Sequence, residues 1–577
     1  MTVERDISLV RCGFGSWMTL VVALLLLAGH SRGAGGYALR IGTDPESKID
    51  VEVTSFMATA TVCGYYPMRI RIANHSDGDG SWTLGTERYR SIGELKFDTT
   101  LSVPAGTERE FEVLVPVSSR SDSPYRTAPY LRVEGPGVDS GSFQPNLGGS
   151  NSARDPWVGM SDELHSDHWG DYGKKVKDLG GGALDVSQLS ANWKAYAGLD
   201  QICLRGREWK NLSGDVKTAL KEWVALGGDL RLVCDTNEEA AQVASDFSSA
   251  NQYGLGQVDT TVGKLSFVGI GEFVRAAQDA ARVRSANDSS TERMARVGET
   301  RSSSLLVMVF IVAFGIVAGP LNLFVFAGPG RRHRLFWTTP LISLLGAMIL
   351  GGVILLQDGT GGTGVRLVRV AILPDVKRMV VVQTQVSRTG LLVGKGFQLG
   401  DSAWLQLTGN HDSQSYRSSS LQADSSGYLS GDWFRSRSTQ TMRIKDSQPS
   451  RAAVEFVPGA EPGVISAIDA TLDEIYVVAP DGKVWTARDV VPGQRVPLQA
   501  ATTSSLREGV QAWTKRWNPI GAQHAGAHEV DVEPGNFVGW MEKGGETLAT
   551  PTLDSIEWEV TPALLTGKLT LTPGSQR

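Results

Sequence analysis

The chain has 577 residues, a formal net charge of −6 at pH 7, 66 glycines, 15 tryptophans and four cysteines. That length gives room for three or four domains at roughly 100–200 residues each. The lack of a basic block or stripe argues against a nucleic-acid partner, and Cys12, Cys63, Cys203 and Cys234 are too few for a disulfide scaffold. Abundant glycine with many large aromatics predicts β-rich, turn-rich folding around buried anchors.

Residues 1–36 read as a signal peptide or signal anchor. Arg5 and Arg11 precede an apolar run from Trp17 to Ala28, and small residues follow. Ala34 and Gly36 suit a cleavage site; an uncleaved anchor is the alternative, and either carries the next region across a membrane. Cys12 lies ahead of the apolar run, so it is not placed as a lipoprotein cysteine.

Residues 37–150 follow period two. Met68, Ile70 and Ile72 alternate with Arg69 and Arg71, and Phe111, Val113 and Val115 alternate with Glu110, Glu112 and Leu114. Such alternation predicts strands with one face in water. With turn chemistry in NHSDGDGSW and VPAGTE between them, it predicts an immunoglobulin-like β-sandwich. The ordinary work of such a domain is spacing or recognition, and no catalytic cluster stands out in it.

From 151 to 303 the period changes. LDQICL (Leu199–Leu204) and RLVCD (Arg231–Asp235) read as strands, joined by a helix with Ser213 as N-cap, an apolar face of Val216, Leu220, Trp223 and Val224, and a stop at Gly227 and Gly228. A third strand is expected at KLSFVGI (Lys264–Ile270), before the helical run EFVRAAQDAARVR. Strand, helix, strand at this spacing is a right-handed βαβ crossover, so a small doubly wound α/β fold is expected.

Residues 304–357 organise the chain. Ser304–Phe326 and Leu335–Gln357 are uncharged and long enough for the roughly 30 Å bilayer core, which needs about 20 helical residues. Between them Gly328, Pro329 and Gly330 break the helix, and Arg331, Arg332, His333 and Arg334 concentrate positive charge. A transmembrane hairpin with a cytoplasmic turn at 328–334 follows from the positive-inside rule, leaving both large regions extracytoplasmic. Gly315, Gly319, Gly346, Gly351 and Gly352 would permit close helix packing. The spans hold no ionisable residue, which argues against a transport path. The turn is also too short for a cytoplasmic signalling domain.

After the hairpin, Asp358–Arg366 reads as a flexible linker. The rest, to residue 577, is β-rich: VRLVRVAIL, RMVVVQTQV, RAAVEFV, EIYVVAPDGKVWTA and GKLTLT are short strand runs, with a tight turn at Pro480–Lys483. Asp401–Ser450, rich in Ser, Asp, Gly and Gln, predicts loops.

The succession NWKAYAGLDQICL, LSGDVKTALKEWVALGGDLRLVCD, AGPLNLFVF and RRHRLFWTTPLI resembles bacterial membrane proteins with an extracytoplasmic class I glutamine amidotransferase-like domain. The likeness covers about Leu184 to Gly400. It implies an envelope protein, with AAA-type ATPases or von Willebrand A-type proteins as partners.

Four constellations could carry chemistry. The resemblance points first to Cys234, because that family places a nucleophilic cysteine at a strand-to-helix turn. The flanks here are Val233 and Asp235 instead of glycines, and no histidine lies between His168 and His333. A cysteine without a base is a poor nucleophile, so a structural thiol is the competing reading and the triad is not recognisable. Cys203 and Cys234, late in neighbouring strands, could form a disulfide only if they face one side of the sheet. DELHSDHWGD (Asp162, Glu163, His165, Asp167, His168, Asp171) offers imidazole and carboxylate ligands. Its His-x-x-His spacing differs from the usual zinc helix, and a solvated acidic helix start is the alternative. TGLLVGKG (Thr389–Gly396) is one residue short of a phosphate loop and has glycine after Lys395 where a hydroxyl is needed, so a strand and turn is expected.

No catalytic, cofactor-binding or metal residue is therefore assigned, and no cofactor. The expected protein is a non-enzymatic integral membrane protein of the bacterial cell envelope, in the inner (cytoplasmic) membrane. It would touch the lipid bilayer and envelope protein partners, with no nucleic acid. The alternative is a cysteine-dependent hydrolase or amidotransferase-like enzyme using Cys234.

Overall fold

The computed structural model describes residues 37–41, 48–61, 63–87, 95–118, 130–143, 155–175, 179–247, 252–263, 267–285, 304–328, 330–408, 421–424, 426–517 and 532–571. The signal expected at 1–36, with Cys12, Ala34 and Gly36, lies outside them. The chain is multidomain, with four sheets and two long apolar helices among the described residues.

The first sheet is antiparallel, in the order Tyr37–Ile41, Ile49–Ser55, Gly64–Asn74, Thr107–Ser118. Its alternation is the one read from the sequence: Met68, Ile70 and Ile72 are buried. Arg69 and Arg71 stay outside, paired with Glu110 and Glu108. Across that core lie Gly80–Glu87, Leu95–Val103, Tyr130–Gly135 and Val138–Phe143 of a second sheet, which contribute Trp82, Leu84, Phe97 and Val133.

This second sheet does not end with the N-terminal region. Leu95–Val103 pairs in parallel with Leu421–Asp424, from beyond the apolar hairpin, in register from Leu95 with Leu421 to Asp98 with Asp424. Tyr428–Gly431 and Phe397–Gln398 extend it further. Backbone hydrogen bonds thus cross the boundaries expected at 150 and 358.

The third sheet carries five parallel strands in the spatial order Gly180–Leu184, Trp157–Ser161, Gln201–Arg205, Asp229–Cys234, Gly256–Val262, with Gln252–Tyr253 antiparallel at the edge. In chain order that is second, first, third, fourth, fifth, a doubly wound arrangement. Asp162–Lys175 and Phe267–Ser285 cover one face through Leu164, Tyr172, Ile270 and Phe273. Gly214–Ala225 covers the other, capped as expected by Ser213 and burying Leu220, Trp223 and Val224. The strand expected at Lys264–Ile270 is a correction. The fifth strand is Gly256–Val262, and Phe267–Ile270 opens a helix. Ile270, Phe273, Val274, Ala277 and Ala281 are the buried positions, and their spacing of three and four makes an apolar helical stripe.

The fourth sheet is built on the ladder between Gly362–Leu373 and Arg378–Thr389. The linker expected at Asp358–Arg366 is therefore mostly strand, with Gly359 to Gly361 alone between the helix Leu335–Asp358 and that strand. Its glycines serve packing: a side chain at Gly364 would strike the ring of Trp558. The turn at Asp481 and Gly482 joins Leu472–Val478 to Val484–Val490 as read. The stretch Asp401–Ser450, expected as loops, contains the strands Ala403–Thr408 and Thr439–Pro449 as well.

The α/β domain is wedged against the rest. Tyr253 donates to Asp375 Oδ2 at 2.9 Å, and Glu222 pairs with Arg378 at 3.0 Å. Burial raises the Glu222 carboxyl above its usual range, with Arg378 opposing the shift. Leu373, Val380 and Trp404 belong to the same core as Tyr196 and Trp223.

The apolar helices are Ser304–Ile316, continued as a π-helix through Val317–Phe326 around Pro320, and Leu335–Asp358, joined through a turn at Arg332–Arg334. Both are long and apolar enough to cross a membrane. Their large side chains face outward, Phe324 being 74% and Trp337 76% exposed, unlike those of a soluble core hairpin. The two helices meet at Gly346, which lies against the ring of Phe314, and through a 3.0 Å hydrogen bond from Asn322 Nδ2 to Thr339 Oγ1. Gly315, Gly319, Gly351 and Gly352 have no neighbour that an added Cβ would meet.

Because Trp404 sits in a core made mostly by residues before the hairpin, Trp404→Ala should cost about 3–5 kcal/mol. Denaturant unfolding should show that loss in one shared transition, and an unchanged midpoint for the N-terminal region would contradict the shared core.

Candidate functional site: the carboxyl edge of the parallel sheet

In doubly wound sheets ligands sit beyond the carboxyl ends of the strands, where the chain reverses its direction of building. Here that point lies between Trp157–Ser161 and Gln201–Arg205. The first strand ends at Ser161 and passes straight into the helix beginning Asp162, Glu163. The third ends at Arg205 and passes into Gly206–Asn211, where Glu208 accepts from the Arg205 amide at 2.7 Å and closes the helix start.

The crevice is spanned by side chains of the protein itself. Arg205 reaches Asp167 at 2.9 Å and Glu163 at 3.3 Å, and Arg207 pairs with Glu163. Burial, then the nearby carboxylates Asp185 and Glu208, raise the Asp162 carboxyl. Two polar atoms at this edge are buried with no partner, Ser161 Oγ and Arg205 Nε. The edge is thus a charged, largely self-satisfied surface with hydrogen-bonding capacity left at two atoms.

Cys234 ends the fourth strand and is fully buried. Thr236 caps the helix Asn237–Ala244, and the Glu239 side chain accepts from the Asp235 amide at 2.7 Å. Gly206 fits tightly over the thiol: an added Cβ would lie 2.8 Å from Sγ and 2.8 Å from the Glu239 carboxyl carbon. Burial, reinforced by Glu239, pushes the thiol up to about 11. A cysteine that attacks needs the opposite environment, exposed and beside a cation or base.

The disulfide left open between Cys203 and Cys234 is excluded. Cys203 pairs in register with Arg231, three positions from Cys234, and an odd offset puts the two thiols on opposite faces. Cys203 packs with Tyr172 and Phe273, Cys234 with Leu204 and Leu232. Cys63, Cys203 and Cys234 are buried, and none is in a disulfide.

The acidic cluster resolves into ion pairs. Glu163 and Asp167 bind the arginines just described, and Asp171 binds Lys174 at 2.8 Å. His165 stacks on Trp169 with ring centres 4.8 Å apart, and burial lowers its pKa. Among the described residues no group of His, Cys, Asp and Glu is placed to hold a metal ion. TGLLVGKG is no phosphate cradle either: Lys395 pairs with Asp432 at 3.5 Å, and Gly396 lies against Tyr428.

Sequence reasoning missed the arginines that close the crevice, and also the charged group on the sheet's face. There Arg231 bridges Asp229 and Asp259, Gln201 donates to Asp229 at 2.6 Å, and Phe273 covers the guanidinium. The signal available was Arg231 itself, a charge inside an apolar strand run.

No family model matches the chain, and no curated protein matches it. Among solved structures the exo-chitosanase CsxA of Amycolatopsis orientalis is similar at 10% identity over 44% of this chain and 27% of that chain, with a TM-score of 0.14. So slight a likeness carries no argument about fold or function.

Native protein should therefore resist maleimide at Cys63, Cys203 and Cys234, and all three should react after denaturation whether or not a reductant is added. Rapid native labelling of Cys234 would reopen the nucleophile reading.

Proposed function

We propose that this is a non-enzymatic integral membrane protein of a bacterial-type cell envelope. In this reading the hairpin 304–357 crosses the inner membrane, the turn 328–334 faces the cytoplasm, and the regions before and after it form one extracytoplasmic body that binds a protein or ligand within a larger complex. The α/β unit is read as an amidotransferase-like domain without a working nucleophile.

The observation that carries this reading is the ladder between Leu95–Asp98 and Leu421–Asp424. Strands that share backbone hydrogen bonds lie on one side of a bilayer, so a membrane segment between them must enter and return. The exposed Arg331, Arg332 and Arg334 at the tip then favour the cytoplasm for the turn. The filled crevice and the buried Cys234 support display over catalysis. AAA-type ATPases and von Willebrand A-type proteins, implied by the family resemblance, are the partners to test first.

Single cysteines placed at the exposed positions Asp215, His333 and Asp481 test the topology with an impermeant thiol reagent on intact cells. Labelling at 215 and 481, with 333 reacting only after permeabilisation, is expected. Labelling at 333 alone would invert the orientation and remove the basis for an extracytoplasmic role.

A further inference from the structure

The segment TGLLVGKG has no role in the crevice, yet its placement is unusual. The helix Leu335–Asp358 and the strand Gly362–Leu373 are separated by three residues, and these are clamped to the start of that segment. Leu391 N donates to Gly359 O at 3.0 Å, Gly361 N to Leu391 O at 3.1 Å, and Gly390 N to Gly361 O at 2.7 Å. Gly359 and Gly361 adopt positive φ values of 68° and 92°, which lets the chain leave the helix and turn at once into the sheet.

Two residues beyond this clamp stands Val393, 90% exposed. It is more exposed than Phe336 at 78% or Trp337 at 76%, which lie on the hairpin itself. Its neighbour Leu392 is buried, held by a hydrogen bond from its amide to Ser436 Oγ at 3.0 Å. The loop is thus a fixed protrusion with an apolar tip. Tyr428, 44% exposed, flanks it, its hydroxyl end packed where a side chain at Gly396 would be. Lys395 stands beside them.

We infer that the loop Gly390–Gly396 is a membrane-contact loop, with Val393 seated in the headgroup region of the leaflet from which the second apolar helix emerges. This rests on the hairpin spanning the bilayer as proposed above. The geometry follows from lengths. Leu335–Asp358 has 24 residues, about 36 Å of helix at about 1.5 Å per residue, against a hydrocarbon core of about 30 Å. Its end therefore sits among headgroups, a zone about 5–7 Å deep on each side. Val393 is two residues from an atom bonded to Gly359, a reach of at most about 7 Å. With the 3.0 Å hydrogen bond added, a tip so tethered lies within about 10 Å of Gly359, near enough to reach the headgroup zone. A valine in contact with the acyl-chain boundary and a tyrosine at headgroup level match the side chains that interfaces favour, while Lys395 beside them is held by Asp432.

The test uses the full chain, with Cys12 replaced by serine, reconstituted in phosphatidylcholine–phosphatidylglycerol vesicles. An environment-sensitive fluorophore is attached at Leu344→Cys, mid-span, or at Val393→Cys; the native buried thiols stay unlabelled. We expect deep, chain-labelled nitroxide lipids to quench position 344, and shallow, headgroup-labelled nitroxide lipids to quench position 393, the latter with a blue shift and protection from aqueous iodide. If 344 is quenched but 393 responds to iodide alone, the loop inference falls and the spanning hairpin stands. If 344 is not quenched by lipid, the hairpin reading falls and this inference falls with it.

Discussion

The structure depends on one pairing between residues far apart in sequence, the parallel ladder of Leu95–Asp98 with Leu421–Asp424. Four residue pairs contribute little energy by themselves, since a backbone hydrogen bond nets about 1 kcal/mol. What holds the two regions together is the apolar surface around that ladder. Leu95 packs on the cluster of Leu421, Phe434 and Met442, while Leu373, Val380 and Trp404 complete the core of the first domains. The ladder fixes register and direction; burial, at about 25 cal/mol per Å² of apolar area, supplies most of the stability. Two regions that would otherwise be joined through an apolar hairpin become one body.

That constraint also shapes the α/β domain. Its face toward the fourth sheet is occupied by Glu222 with Arg378 and Tyr253 with Asp375. Its carboxyl edge, the position where a doubly wound fold ordinarily receives a ligand, is laced by Arg205 and Arg207 to Glu163 and Asp167. An edge that satisfies its own charges can present a patterned surface to a partner, but it offers no activated group. Cys234 illustrates the difference: its position in the topology is one from which cysteines act in other folds, while Gly206 and Glu239 wall it in and hold its proton on.

Much of this was legible in the sequence where periodicity is local. Met68, Ile70 and Ile72 announced a strand with one wet face. Ser213, Trp223 and Gly227 announced a capped helix, and the uncharged runs on either side of Arg331–Arg334 announced the two long apolar helices. The signal failed where two periods overlap or where pairing is distant. FVGI reads as a strand over four residues, and becomes helical only when Phe273, Val274 and Ala277 are counted with it. Gly359–Arg366 reads as a linker because glycine is taken as freedom, whereas Gly364 is glycine to admit Trp558. The Leu95–Leu421 pairing leaves no local trace at all, and neither does the reach of Arg205 to a helix that begins 43 residues earlier in the chain, at Asp162.

The three-residue junction at Gly359–Gly361 gives this architecture its mechanical character. A longer junction would let the helix and the body tilt independently, because each added flexible residue enlarges the accessible volume. Here the junction is too short to slacken and is bonded to Leu391 and Gly390, so the helix Leu335–Asp358 and the strand Gly362–Leu373 move as one piece. That strand pairs along its whole length with Arg378–Thr389; the turn between them carries Asp375 and the second strand opens with Arg378, the residues that hold the α/β domain. The route from the helix to the α/β domain thus runs through one strand pair and the side-chain contacts of Tyr253 with Asp375 and Glu222 with Arg378. Those contacts meet the α/β domain at the amino edge of its parallel sheet, where Glu222 and Tyr253 precede the strands Asp229–Cys234 and Gly256–Val262, and so they leave the carboxyl edge on the far side.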